Sequence, residues 1–447
     1  MRHIIIILLF LSATIITTAQ EVTLNQCIQY ALENNLAFAN KNIEADIAKE
    51  QLSQQRREFL PSLNVGGSAN KLFGRSIDPT TNSFVNQDFF SMNFYLDSDI
   101  QLFRSFTRVN TVKFLKLQYL ISNENIKQHE MEIVFAVMNK YYDVLYFANL
   151  QKIVQEQVEL TNLNLQKTEK LVQLGLKSDS DLMEMKAQEA SELHNLILAQ
   201  SQHEQALLAL KSLMNYPYDE ALSIEDKENI DVADTLFLPE EVYASSLEYM
   251  PSVQCANLYF EVAQKQLNIA RGNLLPRLSM GAGVYSNYAD SRQEYAIPGD
   301  INSELRAIPL RDQLSQNMAK SIYLSMSIPI FNRWSGMSRV KQAKLERTMA
   351  QNRQQEEQQK LYQLINEDIQ QLNALQKEFA LLSTKKDVMQ QAYTIAEKKL
   401  EQGIVGVIEF YTAKNQLAQA QSDWMRTRIQ LKIKEQTIRF YMGEKVY

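Results

Sequence analysis

Phe59-Leu60-Pro61-Ser62-Leu63-Asn64-Val65-Gly66-Gly67-Ser68-Ala69-Asn70 is the stretch where one backbone rhythm gives way to another. Before it, Leu24, Ile28, Ala31, Leu32, Ile43 and Ile47 recur at helical spacing, which predicts a helix from Leu24 to Leu60. Pro61 ends that helix, because proline cannot donate to the ladder and restrains the residue before it. The period then becomes two. Leu63, Val65, Gly67 and Ala69 share one face, and Asn64, Gly66, Ser68 and Asn70 the other. Beyond a loop rich in Gly, Pro, Asn and Thr the alternation resumes. Phe90, Met92, Phe94, Leu96, Ile100 and Leu102 face one way, and Ser91, Asn93, Tyr95, Asp97 and Asp99 the other.

The same stretch returns as Leu274-Leu275-Pro276-Arg277-Leu278, at an offset of 215 that also relates Leu32-Glu33 to Leu247-Glu248. Farther on the offset is 228. Phe103, Phe106, Val112-Lys113 and Leu117 match Phe331, Trp334, Val340-Lys341 and Leu345. Gly175, Asp181, Lys186, Gln188 and Ala190 match Gly403, Glu409, Lys414, Gln416 and Ala418. The chain is therefore duplicated, with a 13-residue insertion in the second copy between its proline motif and its Phe motif. The second copy alternates too. Leu278, Met280, Ala282 and Val284 oppose Ser279, Gly281, Gly283 and Tyr285, and Ile322, Leu324, Met326, Ile328 and Ile330 oppose Ser321, Tyr323, Ser325 and Ser327.

After the alternating segments come residues 107–174 and 337–402, which contain neither Gly nor Pro. At ~1.5 Å per residue each predicts a helix of roughly 100 Å, too long for a compact domain. Gly175 and Gly403 interrupt these helices, and the helical pattern resumes to Asn215 and to Tyr441. Each half thus reads helix, strand, loop, strand, very long helix, turn, long helix, the last three forming an antiparallel coiled-coil hairpin. The expected divisions are an export signal at 1–19, a first repeat at 20–216, an acidic connector at 217–243 and a second repeat at 244–447. The signal reading rests on Arg2-His3, the apolar run Ile4–Leu11 extended to Ile16, and the small residues Thr17-Thr18-Ala19.

Four alternating segments of ~10–13 residues have the length of tilted membrane strands, ~9–11 residues. A soluble sheet with one buried face shows the same alternation. Two details favour the membrane. Phe73, Phe89, Phe103, Phe106, Tyr288, Phe331 and Trp334 cluster at segment ends as an interfacial girdle does. The opposite face is small or polar, as a wet lumen requires, with Asn64, Asn70, Asn93, Asp97, Asp99 and Tyr285 expected there. Four strands cannot close, and an open edge cannot sit in lipid. Other copies must supply the rest, and two or three suffice.

Composition excludes other classes. The net charge of -6 offers no basic face for nucleic acid. Four His and two Cys leave little for a metal centre. A Cys27–Cys255 disulfide is open, since nothing in the sequence fixes their distance. No Gly-rich phosphate loop, G-x-S-x-G or H-E-x-x-H occurs, so no catalytic or cofactor-binding residue is assigned and no cofactor is expected.

In this order the residues resemble the TolC-like outer membrane efflux proteins over nearly the whole mature chain. The markers are the Leu-Pro-x-Leu junctions at 60–63 and 275–278, Pro329-Ile330-Phe331-Asn332, and the turns Leu171-Val172-Gln173-Leu174-Gly175 before Asp181-Leu182 and Leu400-Glu401-Gln402-Gly403 before Glu409-Phe410. Departures are Gln101, where the family usually has a proline, and Arg104-Ser105, where it favours an Asp-Gly-like pair. The resemblance implies a mixed α and β homotrimer in the outer membrane of a Gram-negative bacterium. Its shared 12-stranded β-barrel, four strands per chain, continues into a periplasmic α-helical coiled-coil tunnel. It implies a passive conduit in a tripartite export system, with a periplasmic adaptor and an inner-membrane pump as partners. It places the adaptor-docking tips at Gly175, Leu176, Lys177 and Ser178, and at Gly403, Ile404, Val405 and Gly406. It makes Glu409 match a constricting carboxylate, with Asp181 its repeat mate and Thr412 where a second acid can occur. The acids equally suit the first turn of a helix, where they complement its dipole. The same conduit can serve type I protein secretion, and a soluble coiled-coil interaction protein is the alternative that discards the barrel.

Overall fold

The computed structural model describes residues 21–77, 82–86, 88–225, 236–299 and 301–444. The expected export signal lies outside the described residues, as do residues 226–235 of the acidic connector. In chain order the first half contributes α1 (Leu24–Asn34), α2 (Leu36–Arg57), β1 (Asn64–Leu72), β2 (Phe89–Arg104), α3 (Thr107–Gln173) and α4 (Asp179–Met214). The second contributes α5 (Pro239–Tyr249), α6 (Pro251–Gly272), β3 (Arg277–Ala289), α7 (Leu310–Gln316), β4 (Ala319–Ser327), α8 (Ser335–Glu401) and α9 (Val407–Tyr441).

Where one helix was expected from Leu24 to Leu60 there are two. Asn35 is extended (φ -73°, ψ 117°), and its Oδ1 accepts from the N–H groups of Ala37 and Phe38 at 2.9 and 3.1 Å, capping a new helix. The repeat-equivalent residue, Met250, is extended as well (φ -70°, ψ 118°). There Pro251 opens α6, where its missing N–H is no loss. Different residues make the same break in the two halves.

Among the described residues the chain divides into two compact units, one within 45–122 and 256–354 and one within 21–44, 123–255 and 355–444. The first holds a four-stranded antiparallel sheet in the order β4-β3-β2-β1. Its registers show the duplication directly. Asn64 pairs with Asp97 and Ser279 with Ser325, the same pair moved by 215 on one strand and 228 on the other. In the centre Asp97 pairs with Gly283 and Asp99 with Gly281.

Cross-strand pairing groups the side chains into the two expected faces. Val65 faces Leu96, Met280 faces Leu324 and Leu278 faces Met326 on one side. On the other, Asn64 Nδ2 donates to Asp97 Oδ2 at 3.1 Å and the Tyr323 hydroxyl to Asp99 Oδ1 at 2.6 Å. The apolar face is open: Val65 is 82% exposed, Ile322 76% and Leu324 65%. A soluble sheet buries such a face against a second layer, and contiguous apolar area of this kind marks a lipid or partner surface. Among the described residues no helix is long and apolar enough to cross a membrane.

Each half passes from sheet to long helix through two successive left-handed residues, Ser105 and Phe106 (φ 46° and 61°) and Arg333 and Trp334 (φ 56° and 61°). Bulky residues seldom occupy that region. At Ser105 the conformation is held by the hydroxyl, which donates to Pro276 O at 2.5 Å. Phe103, Phe106, Phe331 and Trp334 are exposed, as a girdle requires, whereas Phe89 is 3% exposed and does not belong to it. Phe89 lines a small cavity with Leu72, Ile77, Ser91, Asn93 and Asn287, because on β2 it shares the polar face of Ser91 and Asn93 and not the apolar face of Phe90 and Met92.

The 13-residue insertion falls between β3 and β4 and includes α7. Gln313 is buried beside the end of β3, where its Oε1 accepts from Ala289 N–H at 3.0 Å and its Nε2 donates to Ala289 O at 2.9 Å. Asn317 Nδ2 donates to Asn287 O at 2.7 Å. These amides stand in for a strand that has not yet begun, so the backbone groups of β3 are not left unpaired.

In the other unit the two halves carry matching cores. Ile133, Val137, Tyr141 and Val144 of α3 pack with Leu210 of α4 and Cys27 of α1. Their equivalents Leu361, Ile365, Ile369 and Leu372 of α8 pack with Ile438 of α9 and Val242 of α5. Each such side chain contributes about 1.5–3 kcal/mol by leaving water. Cys27 thus occupies the place of a valine, as a small apolar filler. Cys255 Sγ donates to Asn125 Oδ1 at 3.4 Å, burial with nearby Glu124 pushes its pKa up to about 11, and no disulfide joins it to Cys27.

Candidate functional site

Both hairpin turns are built alike. After α3, Leu176 N–H donates to Leu171 O at 2.8 Å and Gly175 N–H to Val172 O at 2.9 Å. After α8, Ile404 N–H donates to Lys399 O at 2.9 Å and Gly403 N–H to Leu400 O at 3.1 Å. These are Schellman closures, which require a left-handed residue at the position Gly175 (φ 74°) and Gly403 (φ 71°) occupy. Around them Leu174, Leu176, Ile404 and Ile408 are all well exposed, so each turn presents aliphatic side chains to its surroundings.

The returning helices start differently. Ser178 caps α4 in a reciprocal box, its Oγ accepting from Asp181 N–H at 3.2 Å while Asp181 Oδ2 accepts from Ser178 N–H at 3.1 Å. The Ser178 hydroxyl also donates to Asp181 Oδ2, and these bonds hold the carboxyl below the usual carboxylate range. That contribution to the helix start is present above the ordinary pKa and is lost as pH falls through the lowered one. Gly406 caps α9 with no side chain to offer, so Glu409 at the matching position is exposed and has no capping partner. Thr412, one turn on, donates its hydroxyl to Ile408 O at 2.8 Å.

Behind the tips Leu165, Met185, Val407, Phe410 and Tyr411 form a core shared by both hairpins. Deeper lies a feature that sequence reading missed. Lys414 and Glu192 are both buried, with Nζ 3.6 Å from Oε1. Lys414 Nζ donates to Gln157 O at 2.8 Å and Thr161 Oγ1 at 3.1 Å, and Gln188 Nε2 donates to Glu192 Oε1 at 2.8 Å. Burial lowers the pKa of Lys414, and Glu192 opposes that shift. The repeat mate Lys186 is about half exposed and lies 3.9 Å from Glu169. In a helix full of Lys, Glu and Gln, residue type does not mark out one buried lysine. Its alignment between Phe410 and Leu417 on the apolar face was the available signal.

Among the described residues no group of His, Cys, Asp and Glu has the arrangement of a metal site. The arrangement is that of paired helical hairpins and an amphipathic sheet with two unpaired edges.

Comparison with known proteins agrees. TolC of Escherichia coli K12, an outer membrane protein, is 22% identical over 429 residues, covering 93% of this chain and 82% of TolC. Among solved structures, the outer membrane protein VceC of Vibrio cholerae superposes with a TM-score of 0.77 at 16% identity, over 95% of this chain and 97% of that one. The CmeC outer membrane channel of Campylobacter jejuni gives 0.76 at 16% identity, over 95% and 87%. The profile of the family described as outer membrane efflux protein matches residues 27–216 and 242–444, so that this chain belongs to the outer membrane efflux protein family and is an outer-membrane efflux channel.

Proposed function

We propose that three copies close their sheets into one 12-stranded barrel and that the assembly is the passive outer-membrane conduit of a tripartite exporter. The observation that carries this reading is the sheet itself. Its apolar face is uncovered, its other face carries Asn64, Asp97 and Asp99, and β1 and β4 are edges. In lipid those edges leave N–H and C=O groups without partners, which only closure cures. A soluble coiled-coil protein leaves the exposed apolar face unexplained. The hairpin tips dock the periplasmic adaptor, which links the conduit to an inner-membrane pump. The energy for transport is supplied there.

Glu409 is the gating carboxylate in this reading, and Asp181 is the cap. Asp181 is engaged by Ser178, whereas the Glu409 side chain remains in solvent. Threefold symmetry makes Glu409 a ring of three, which attracts cations at close range. Reconstituted in a planar bilayer under asymmetric salt, the protein is expected to favour cations, and Glu409→Gln to move the reversal potential toward zero. An unchanged reversal potential rejects the gate. Absence of any conductance rejects the conduit.

The tips are tested separately. Gly403→Val forces a β-branched residue into a left-handed conformation, at a cost of about 1–2 kcal/mol. The expected result is loss of adaptor cross-linking at the tip with trimer assembly retained. Intact cross-linking counts against docking through this turn.

A further inference from the structure

The duplication fixes more than the number of strands. The pairing of β2 with β3 joins the second strand of the first repeat to the first strand of the second repeat. Pairing of β4 with β1 of the next copy is the same junction one repeat later. Moving the β2–β3 register by 228 on one strand and 215 on the other sets Ser325 opposite Ser68 of the next copy, and Ser327 opposite its Gly66. The two registers inside the repeats already obey these offsets residue for residue.

Across the junction within the chain runs one row of three residues, Asp99, Gly281 and Tyr323. Tyr323 lies over Gly281, where a side chain on the glycine would meet the Tyr323 Cζ and hydroxyl, and its hydroxyl reaches Asp99 Oδ1 at 2.6 Å. The equivalents of these residues are Ser327, Gly66 and Tyr95. Two of them are already arranged in the same way. Tyr95 pairs with Gly66 and lies over it so that a side chain there would meet the Tyr95 Cζ and hydroxyl. Among the described residues of a single chain the Tyr95 hydroxyl has no hydrogen-bond partner, and Ser327 is an exposed residue on the edge strand β4.

We infer that Tyr95 latches the seam between copies by donating its hydroxyl across Gly66 to Ser327 Oγ of the neighbouring chain. The surface is the β1–β2 edge of one copy, and its occupant is β4 of a second copy of this chain. The inference rests on the trimeric closure proposed above and adds the register and the latch. It also implies an asymmetry between seams. A carboxylate accepts more strongly than a hydroxyl, so the junction within the chain, with Asp99, is the firmer of the two.

The test is the heat resistance of the detergent-extracted trimer on SDS gels. Tyr95→Phe is expected to lower the temperature at which trimer converts to monomer. Ser327→Asp restores the acceptor found within the chain and is expected to raise that temperature. The gain from Ser327→Asp is expected to vanish in the Tyr95→Phe background, the coupling that a double-mutant cycle isolates. A Tyr95→Phe trimer as resistant as wild type, or an equal gain from Ser327→Asp in both backgrounds, overturns the latch. Disulfide trapping with Ser68→Cys and Ser325→Cys separates the levels. A covalent ring alongside an inert Tyr95→Phe removes the latch alone, whereas no ring removes the closure and the latch with it.

Discussion

Cysteines at Ser68 and Ser325 in one chain are expected to yield, on mild oxidation of outer membranes, a covalent trimer that reverts to monomer on reduction. The physical basis is register. The equivalent pair within the chain, Asp97 and Gly283, are direct antiparallel partners. Such partners have Cα atoms about 4.5–5.5 Å apart, inside the ~4.4–6.8 Å span a disulfide tolerates. Both residues are serines, so each substitution changes a single atom. Asn64→Cys with Ser325→Cys is the control, because the partner then lies four residues along the strand, about 13 Å away. Cross-linking only in the control, or only as a linear dimer that never closes, contradicts the proposed ring. The outcome reads assembly and register at once, and needs no knowledge of the cargo.

The second large effect is expected at Lys414. Lys414→Met leaves Glu192 buried without its cation, which typically destabilises by about 3–5 kcal/mol. The site is nearly sealed, with both side chains buried between α3, α4 and α9. The double variant Lys414→Met with Glu192→Met is expected to recover most of the loss, because a well-packed apolar pair replaces two desolvated charges. Lys186→Met at the repeat mate is expected to cost at most about 1 kcal/mol, since that lysine is half exposed and its ion pair with Glu169 is long. Unfolding of such an assembly is not two-state, so amide hydrogen exchange within α4 and α9 is the appropriate measurement. Equal loss of protection in the Lys414 and Lys186 variants would show that burial is not what distinguishes them.

Much of this was legible in the residues. Period-two alternation at 63–70, 90–102, 278–285 and 321–330 located the strands, because a side-chain repeat of two admits only one pair of faces, although β4 stops at Ser327, before Pro329, and leaves Ile328 and Ile330 outside it. The absence of Gly and Pro from 107–174 and 337–402 located the long helices, and the two offsets located the insertion. Gly175 and Gly403 marked the turns, since a left-handed residue is needed where a helix closes on itself. These are local properties of the chain, and local properties survive in a string of letters.

What required tertiary structure is whatever depends on a neighbour distant in sequence. The break at Asn35 rests on its own side chain capping the next helix, a competition with helix continuation that periodicity does not reveal. Asp181 and Glu409 look alike in the alignment of the halves, yet Ser178 occupies one and Gly406 leaves the other in solvent. Lys414 and Lys186 likewise match in sequence and part company in burial. The strands, the long helices, the turns and the duplication follow from periodicity and breakers, which act along the chain. Register, burial and the partner of each polar group follow instead from which distant segment packs against each residue.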